Sequence, residues 1–216
     1  MWKDFAAPEH AFSILKFIKK ILNSPIPEPV KSCAAGAAEE LRTKNRSQDI
    51  LPYDRNRVIL APIPTRDYST YINASFIEAY DNSEAFIITQ DPLPSTIMDF
   101  WRMVAEHNVT TIVMLSELTE GKCPRYWDDG TAQYEHISVQ YEESESCPYY
   151  TRRQFRVANN KVTGNWSEAV SVRQLQYHGW PTAAGAVPEV TRGLAELADV
   201  ACAAPAPAPT MLVHCQ

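Results

Sequence analysis

The segment Met211–Cys215 constrains the fold more than any other part of this 216-residue chain. Its short apolar run, Met211–Val213, predicts a buried strand that carries His214 and Cys215 at its carboxyl end. In α/β sheets, ligands bind at the carboxyl ends of strands. A cysteine there can act as a nucleophile when backbone N–H groups at a helix N-terminus lower its pKa. Those N–H groups are expected after Gln216, so the segment carries the first half of a cysteine-nucleophile site.

Apolar patterns along the rest of the chain predict an α/β or α+β domain. The run Val109–Leu115 is almost continuously apolar, as expected for a central strand covered on both faces. Short runs of β-branched and aromatic residues, separated by turn-rich segments, predict three earlier strands: Val58–Leu60, Tyr71–Ile77 and Ala85–Thr89. Three later runs alternate more strongly and predict a more exposed, mostly antiparallel set: Gln133–Tyr141, Tyr150–Val157 and Ala169–Tyr177.

Helical spacing of apolar residues predicts four helices, over Ala11–Leu22, Ala34–Leu41, Pro94–Val104 and Glu189–Cys202. The first has lysines opposite its apolar face, which favours packing at the domain edge over contact with a membrane or a partner. In the third, Thr96 followed by Asp99 resembles a capping box. The proline-rich stretches Pro25–Pro29 and Ala203–Pro209 predict a linker and a surface loop, because proline lacks a backbone N–H.

Composition and charge exclude several classes of protein. A net charge of −6 and a sequence pI near 5.4 provide no basic surface for nucleic acid or an anionic membrane. Five scattered cysteines without paired spacing argue against a zinc site and a disulfide framework, and favour a reducing, intracellular setting. The N-terminus fits neither a signal peptide nor a spanning helix, so a membrane segment is expected only outside these residues.

Seven short motifs occur along the chain: Lys44–Val58, Tyr71–Ser75, Thr89–Pro94, Asp99–Val104, Lys122–Trp127, Gly179–Pro181 and Val213–Cys215. Their order and spacing resemble the protein tyrosine phosphatase domain. The resemblance covers roughly residues 40–216 and leaves 1–39 as an N-terminal helical extension and linker. Its details are most like the second, membrane-distal domain of tandem receptor-type enzymes, truncated here at the catalytic cysteine.

The resemblance implies a highly twisted mixed sheet flanked by helices, with its C-terminal part missing from this chain. It also implies hydrolysis of phosphotyrosine through a covalent cysteine intermediate, without a metal or a cofactor. Cys215 takes the nucleophile position, and His214 helps to orient the phosphate-binding loop. That loop would follow Gln216, where the family usually has a small residue.

The general-acid position departs from the family pattern. The family reads Trp-Pro-Asp, whereas this chain reads Trp180-Pro181-Thr182. A threonine hydroxyl cannot deliver a proton near neutral pH. General acid catalysis contributes roughly 10²- to 10⁴-fold to a rate, so a copy with Thr182 is expected to be very slow.

The substrate-binding positions are a mixture of retained and altered residues. Ser47 replaces the tyrosine that stacks on the substrate ring, whereas Asp49, which accepts hydrogen bonds from the substrate backbone, is present. Asp91 replaces a glycine, and its carboxylate could repel a phosphate dianion if it faced the site. Lys122 matches a family lysine near the acid loop, and an ordinary surface lysine is an equally good interpretation.

These departures favour a catalytically impaired, regulatory or docking phosphatase domain in the cytoplasmic part of a membrane receptor. Its expected partners are phosphotyrosine proteins or a partner phosphatase domain. The alternative is an active receptor-type phosphatase whose C-terminal part is missing from these residues. A third hypothesis is a truncated product without a stable fold. The 216 residues alone are expected to hydrolyse nothing.

Overall fold

The computed structural model describes residues 32–78, 84–118, 123–160, 166–181, 187–188, 191–203 and 210–215. Within these residues, nine strands form a single sheet. The predicted helix Ala11–Leu22, the linker Pro25–Pro29 and residues 204–209 of the predicted loop lie outside them. The strands are β1 (Arg57–Ile59), β2 (Tyr71–Glu78), β3 (Glu84–Gln90), β4 (Thr111–Met114), β5 (Thr131–Tyr134), β6 (Ile137–Ser146), β7 (Tyr150–Asn159), β8 (Val170–Tyr177) and β9 (Met211–Cys215).

The sheet is mixed, with the order β1-β2-β3-β9-β4-β8-β7-β6-β5. Strand β9 is inserted between β3 and β4 and runs parallel to both, and β4 is also parallel to β8. All other neighbouring pairs are antiparallel. The prediction of a mixed sheet is therefore confirmed. The carboxyl ends of β9, β4 and β8 meet at one edge, where the candidate site lies.

Two α-helices, α1 (Ile97–Glu106) and α2 (Arg192–Cys202), cover opposite faces of this sheet. Ile112 and Met114 of β4 belong to the core under α1, whereas Val113 belongs to the cluster under α2. Successive side chains of a strand point to opposite faces. This alternation confirms the prediction of helices on both sides and explains why the run Val109–Leu115 is almost continuously apolar.

The core under α1 is built around aromatic rings. Trp101 is fully buried, and its indole Nε1 donates a hydrogen bond to the main-chain oxygen of Tyr126 at 2.7 Å. The ring of Phe100 lies 4.7 Å from that of Tyr126, and the ring of Phe155 lies 5.5 Å from that of Trp101. These contacts hold α1 and the segment before β5 against β7.

Three local expectations differ from the structure. The run Gln133–Tyr141 is two strands, β5 and β6, joined by a tight turn in which Glu135 has φ of 58°. The alternating pattern continues through this turn, which contains no glycine or proline to reveal it. The segment Ala34–Leu41 forms a turn followed by a 3₁₀ helix over Glu39–Lys44. Two further 3₁₀ segments are Pro94–Thr96 and Trp166–Glu168.

The expected capping box between Thr96 and Asp99 is also wrong. The Thr96 hydroxyl accepts a hydrogen bond from the Leu93 backbone N–H at 2.9 Å, one turn earlier. Asp99 is fully buried and forms ion pairs with three cationic side chains. The helical pattern therefore located α1 correctly, but the polar pair at its start has other partners.

Candidate active site

Cys215, which the resemblance assigns to the nucleophile position, lies at the edge of the sheet where β9 ends. Cys215 is paired with Gln90 of β3, and its main-chain oxygen accepts a hydrogen bond from the Asp91 backbone N–H at 2.7 Å. The residue is open to solvent, but the protein packed beneath it partly desolvates the sulfur. This desolvation, together with the charge of Asp91, raises the pKa of the Cys215 thiol.

His214 is buried directly beneath this position and is bonded through both ring nitrogens. Nδ1 lies 2.6 Å from Oδ1 of Asp91, and Nε2 lies 2.9 Å from the hydroxyl of Tyr126. The same hydroxyl accepts a hydrogen bond from Nε2 of Gln174 at 2.6 Å. We call Asp91, His214, Tyr126 and Gln174 the buried relay. The relay connects the nucleophile strand to β8.

Asp91 does not face the solvent side of the site. Its side chain is fully buried and contacts the imidazole of His214. Burial alone would raise the pKa of the Asp91 carboxyl, but the hydrogen bond and charge of His214 outweigh it and hold the pKa below its ordinary value. Burial, and then the charge of Asp91, raise the pKa of the neighbouring Cys123 thiol to about 12. Asp91 is therefore an ionised group beneath the nucleophile.

The segment that carries Ser47 and Asp49 is anchored to the end of β3 through Arg46. The Arg46 backbone N–H donates to Oε1 of Gln90 at 2.9 Å, and its guanidinium donates to the main-chain oxygens of Asp91 at 2.6 Å and Pro92 at 2.9 Å. Since Gln90 pairs with Cys215, this anchor sets the segment beside the nucleophile strand.

The Ser47 hydroxyl is used inside this segment. It accepts a hydrogen bond from the Asp49 backbone N–H at 3.1 Å, which forms a local turn. Residues 47 and 49 therefore lie in one turn, which has a hydroxyl at the position that the resemblance assigns to an aromatic ring. The neighbouring Ile50 is 72% exposed.

The loop after β8 is held at its start by Glu117. This carboxylate lies 3.1 Å from Nδ1 of His178 and accepts a hydrogen bond from the Gly179 backbone N–H at 3.2 Å. Gly179 has φ of 96°, a conformation that glycine adopts without strain. Trp180 then packs on Tyr177, with ring centroids 6.4 Å apart. The chain thereby reaches Pro181, which directly precedes the position that the resemblance assigns to the general acid.

The structure thus brings together Cys215, His214 and the anchor of the Ser47–Asp49 turn, whereas Thr182, Lys122 and Gln216 lie outside the described residues. The sequence placed Tyr126 inside the motif Lys122–Trp127 without a role of its own and did not single out Gln174. Asp91 could be noticed in the sequence because it stands where the family pattern has a glycine. Gln174 carried no signal, because a glutamine in an alternating strand is typical of a solvent-facing position.

The described ranges contain no group of three or more histidine, cysteine or acidic side chains arranged to hold a metal ion. In the same part of the chain, no helix has the length and apolar character needed to cross a bilayer.

Comparisons with known proteins identify the family of this chain. The family model "Protein-tyrosine phosphatase" matches residues 41–216. The chain is 62% identical over 173 residues to tyrosine-protein phosphatase 69D of Drosophila melanogaster. This match covers 79% of this chain and 12% of the relative. It is 41% identical over 142 residues to human receptor-type tyrosine-protein phosphatase alpha. This second match covers 64% of this chain and 17% of the relative. The chain therefore spans less than a fifth of the length of either relative.

A solved structure gives the same result for the fold. The catalytic domain of human protein tyrosine phosphatase non-receptor type 18 matches 96% of this chain and 72% of its own length, with a TM-score of 0.74 and 32% identity. Residues 41–216, which the family model matches, include strand β9 and the residues of the buried relay. This chain belongs to the protein tyrosine phosphatase family.

Proposed function

We propose that this domain binds phosphotyrosine proteins or a partner phosphatase domain in a regulatory or docking role, with strongly impaired hydrolysis. One observation carries the proposal: Thr182 follows Trp180-Pro181 at the position where the family chemistry needs a carboxylic acid. The leaving phenolate must be protonated, and a hydroxyl with an ordinary alcohol pKa cannot donate that proton near neutral pH.

The state of Cys215 supports the same function. A phosphatase nucleophile must be a thiolate, and the features that lower a thiol pKa are positive charges and helix N-termini. In the described residues, desolvation and the charge of Asp91 act on Cys215 in the opposite direction. Within the described residues, the surroundings of Cys215 therefore favour the neutral thiol over the thiolate.

The turn at Ser47 supports binding without efficient catalysis. Asp49 is retained for contacts with the backbone of a bound peptide, while the Ser47 hydroxyl is engaged with the Asp49 N–H. Aromatic stacking is worth about 0.5–1.5 kcal/mol, so this copy holds a phosphotyrosine ring less firmly than a tyrosine at position 47 would.

An active receptor-type phosphatase is the second candidate. The observation that favours it is the presence of Cys215 at the carboxyl end of β9, preceded by His214 as in the family motif. In either case we place the phosphatase domain at residues 40–216, after an N-terminal extension of residues 1–39. The receptor-type names of the relatives support a position in the cytoplasmic part of a membrane receptor.

The test measures turnover and binding in the full-length protein. With a phosphotyrosine peptide as substrate, we expect the unmodified protein to be slow and Thr182→Asp to raise kcat by up to roughly 10²- to 10⁴-fold. Thr182→Val is the matched control, since it keeps the side-chain shape without an acid. Ordinary phosphatase turnover by the unmodified protein, abolished in Cys215→Ser, would instead establish the active enzyme.

Binding is measured by calorimetry with the same peptide in phosphorylated and unphosphorylated forms. The docking role predicts that the unmodified protein and Cys215→Ser both bind the phosphorylated form preferentially. Equal affinity for the two forms would exclude phosphotyrosine as the recognised group and leave the partner phosphatase domain.

A further inference from the structure

A cavity of about 250 Å³ lies at the edge of the sheet opposite to Cys215. Its walls come from the end of α1, the residue before β4, the end of β7 and the start of β8. Strands β4 and β8 are parallel, and β7 is antiparallel to β8, so these segments meet at the amino ends of β4 and β8. Cys215 lies at the other edge, beyond the carboxyl ends of the same strands. The cavity is therefore separate from the candidate active site.

The floor of the cavity is apolar and belongs to the core under α1. Four buried valines form it: Val104, Val109, Val157 and Val172. Close-packed core side chains of this kind keep their positions. An apolar cavity of about 150 Å³ is large enough to bind benzene, so the larger space above these valines can accommodate a chain of several methylene groups.

The two walls beside the mouth of the cavity are fixed by the backbone. On one side, Asn108 follows α1 in the left-handed conformation, with φ of 51°, and turns the chain towards β4. On the other side, the guanidinium of Arg156 donates a hydrogen bond to the main-chain oxygen of Trp166 at 2.8 Å. This bond attaches the 3₁₀ segment that ends at Glu168 to strand β7. The polar side chains at the mouth thus extend from anchored segments.

The chemistry of these polar side chains favours a cation. They are the carboxamides of Asn108 and Asn159 and the carboxylate of Glu168, and no lysine, arginine or histidine lines the cavity among the described residues. Glu168 is exposed and takes part in none of the ion pairs of the described residues. The guanidinium of Arg156 is directed to Trp166 and Glu142 instead. A carboxylate at the mouth, on a chain of net charge −6, attracts a positive group and repels an anion.

We propose that this cavity binds the side chain of a lysine presented by a partner protein. The methylene stem lies against the valines, and the ammonium group, which has three hydrogen-bond donors, lies at Glu168 and the two asparagines. This contact adds a protein-binding surface at the edge of the sheet opposite to Cys215. It involves neither Cys215 nor Thr182, so it is independent of the function proposed above.

The test is an NMR titration of the nitrogen-15-labelled full chain with Nα-acetyl-lysine methylamide. The norleucine analogue, which has the same four-carbon chain without the ammonium group, is the matched probe. We expect the lysine probe to shift the amide signals of residues 104–109 and 157–159 and to bind more tightly than the norleucine probe. Glu168→Gln should weaken the lysine probe about two- to fivefold, as expected for an exposed ion pair, and leave the norleucine probe unchanged. Asp129→Asn, which removes an exposed carboxylate elsewhere, should affect neither probe.

A second variant tests the location of the site. Val170 lines the cavity and is 39% exposed, so the larger ring in Val170→Phe should block the mouth and abolish binding of both probes. Three results with the unmodified chain would overturn the proposal: no shift at these amides, equal affinity for the lysine and norleucine probes, or tighter binding of the glutamate analogue. Because these comparisons need no substitution, they decide the question even if a variant fails to fold.

Discussion

Nζ of Lys44 lies 3.1 Å from Oδ2 of Asp99, although the two residues are 55 positions apart. Asp99 is fully buried on α1 and also pairs with Arg66 at 3.3 Å and Arg102 at 3.1 Å. Lys44 further donates to the main-chain oxygen of Tyr68 at 2.9 Å. One carboxylate thus connects the segment before β1, the segment before β2 and α1, which together support the turn at Ser47.

Asp99→Asn should therefore be strongly destabilising. Removing one partner of a buried ionic cluster leaves the other charges uncompensated, at a typical loss of about 3–5 kcal/mol in the free energy of unfolding. Urea unfolding measures this loss. Asp129→Asn, on an exposed pair with Arg125, should leave the free energy of unfolding nearly unchanged. Similar losses of stability in Asp99→Asn and Asp129→Asn would contradict a stabilising role of the buried ionic cluster.

Gly193 of α2 lies against the ring of Tyr149. A Cβ at Gly193 would lie 2.7 Å from Cγ and 2.9 Å from Cβ of Tyr149, closer than van der Waals contact allows. We expect Gly193→Ala to lower the free energy of unfolding by about 1–3 kcal/mol, as overpacking does. Gly130→Ala is the matched control, because nothing lies within 4 Å of its added Cβ.

A double variant checks the cause of this effect. In Gly193→Ala with Tyr149→Ala, the colliding ring is absent, so the alanine at 193 should cost less than it does alone. Thermal unfolding of the four members of this cycle provides the comparison. An unchanged cost of Gly193→Ala would show that the Tyr149 ring is not the obstacle.

Glu117 should slow the opening of the loop after β8. Glu117→Ala removes the acceptor of the Gly179 N–H and the partner of His178. Both partly exposed contacts are weak, at about 0.5–1 kcal/mol, so the Gly179 amide should exchange with deuterium roughly two- to fivefold faster. Glu142→Ala, on exposed strand β6, should leave that exchange rate unchanged. Equal exchange rates of the Gly179 amide in the unmodified protein and both variants would show that Glu117 does not restrain the loop.

The ionised Asp91 should contribute to the acid sensitivity of the fold. Its folded-state pKa lies below the ordinary value of 3.8, so its contribution to stability is present above that value and is lost as the pH falls through the folded pKa. Between pH 6 and pH 2, Asp91→Asn should therefore lose less stability than the unmodified chain. Chemical denaturation at several pH values measures the two slopes, and parallel slopes would contradict the assignment.

The sequence predicted those parts of the fold in which local pattern and tertiary environment agree. Continuous apolarity identified β4 as central, and helical spacing identified α1. The turn at Glu135 was missed because a left-handed residue other than glycine leaves no compositional mark. The position of β9 between β3 and β4 follows from pairing between distant segments, which periodicity along the chain does not contain.

The candidate site was predictable where its residues belong to motifs. Cys215 and His214 were identified by their place at the end of a strand, and the structure puts both there. The contact between Asp91 and His214 joins residues 123 positions apart. The sequence showed an unusual carboxylate at position 91 but not where its side chain points. A sequence pattern cannot distinguish a side chain that faces a ligand from one that faces the core.

The late position of β9 in the chain also affects how the protein emerges from the ribosome. Roughly 100 residues separate the end of β4 from the start of β9, and at about 5–20 residues per second their synthesis takes roughly 5–20 s. During that interval the inner edges of β3 and β4 have no partner from β9. Unpaired strand edges attract other chains. The edges of β3 and β4 are therefore open to pairing with other chains until the strand that carries the cysteine has been made.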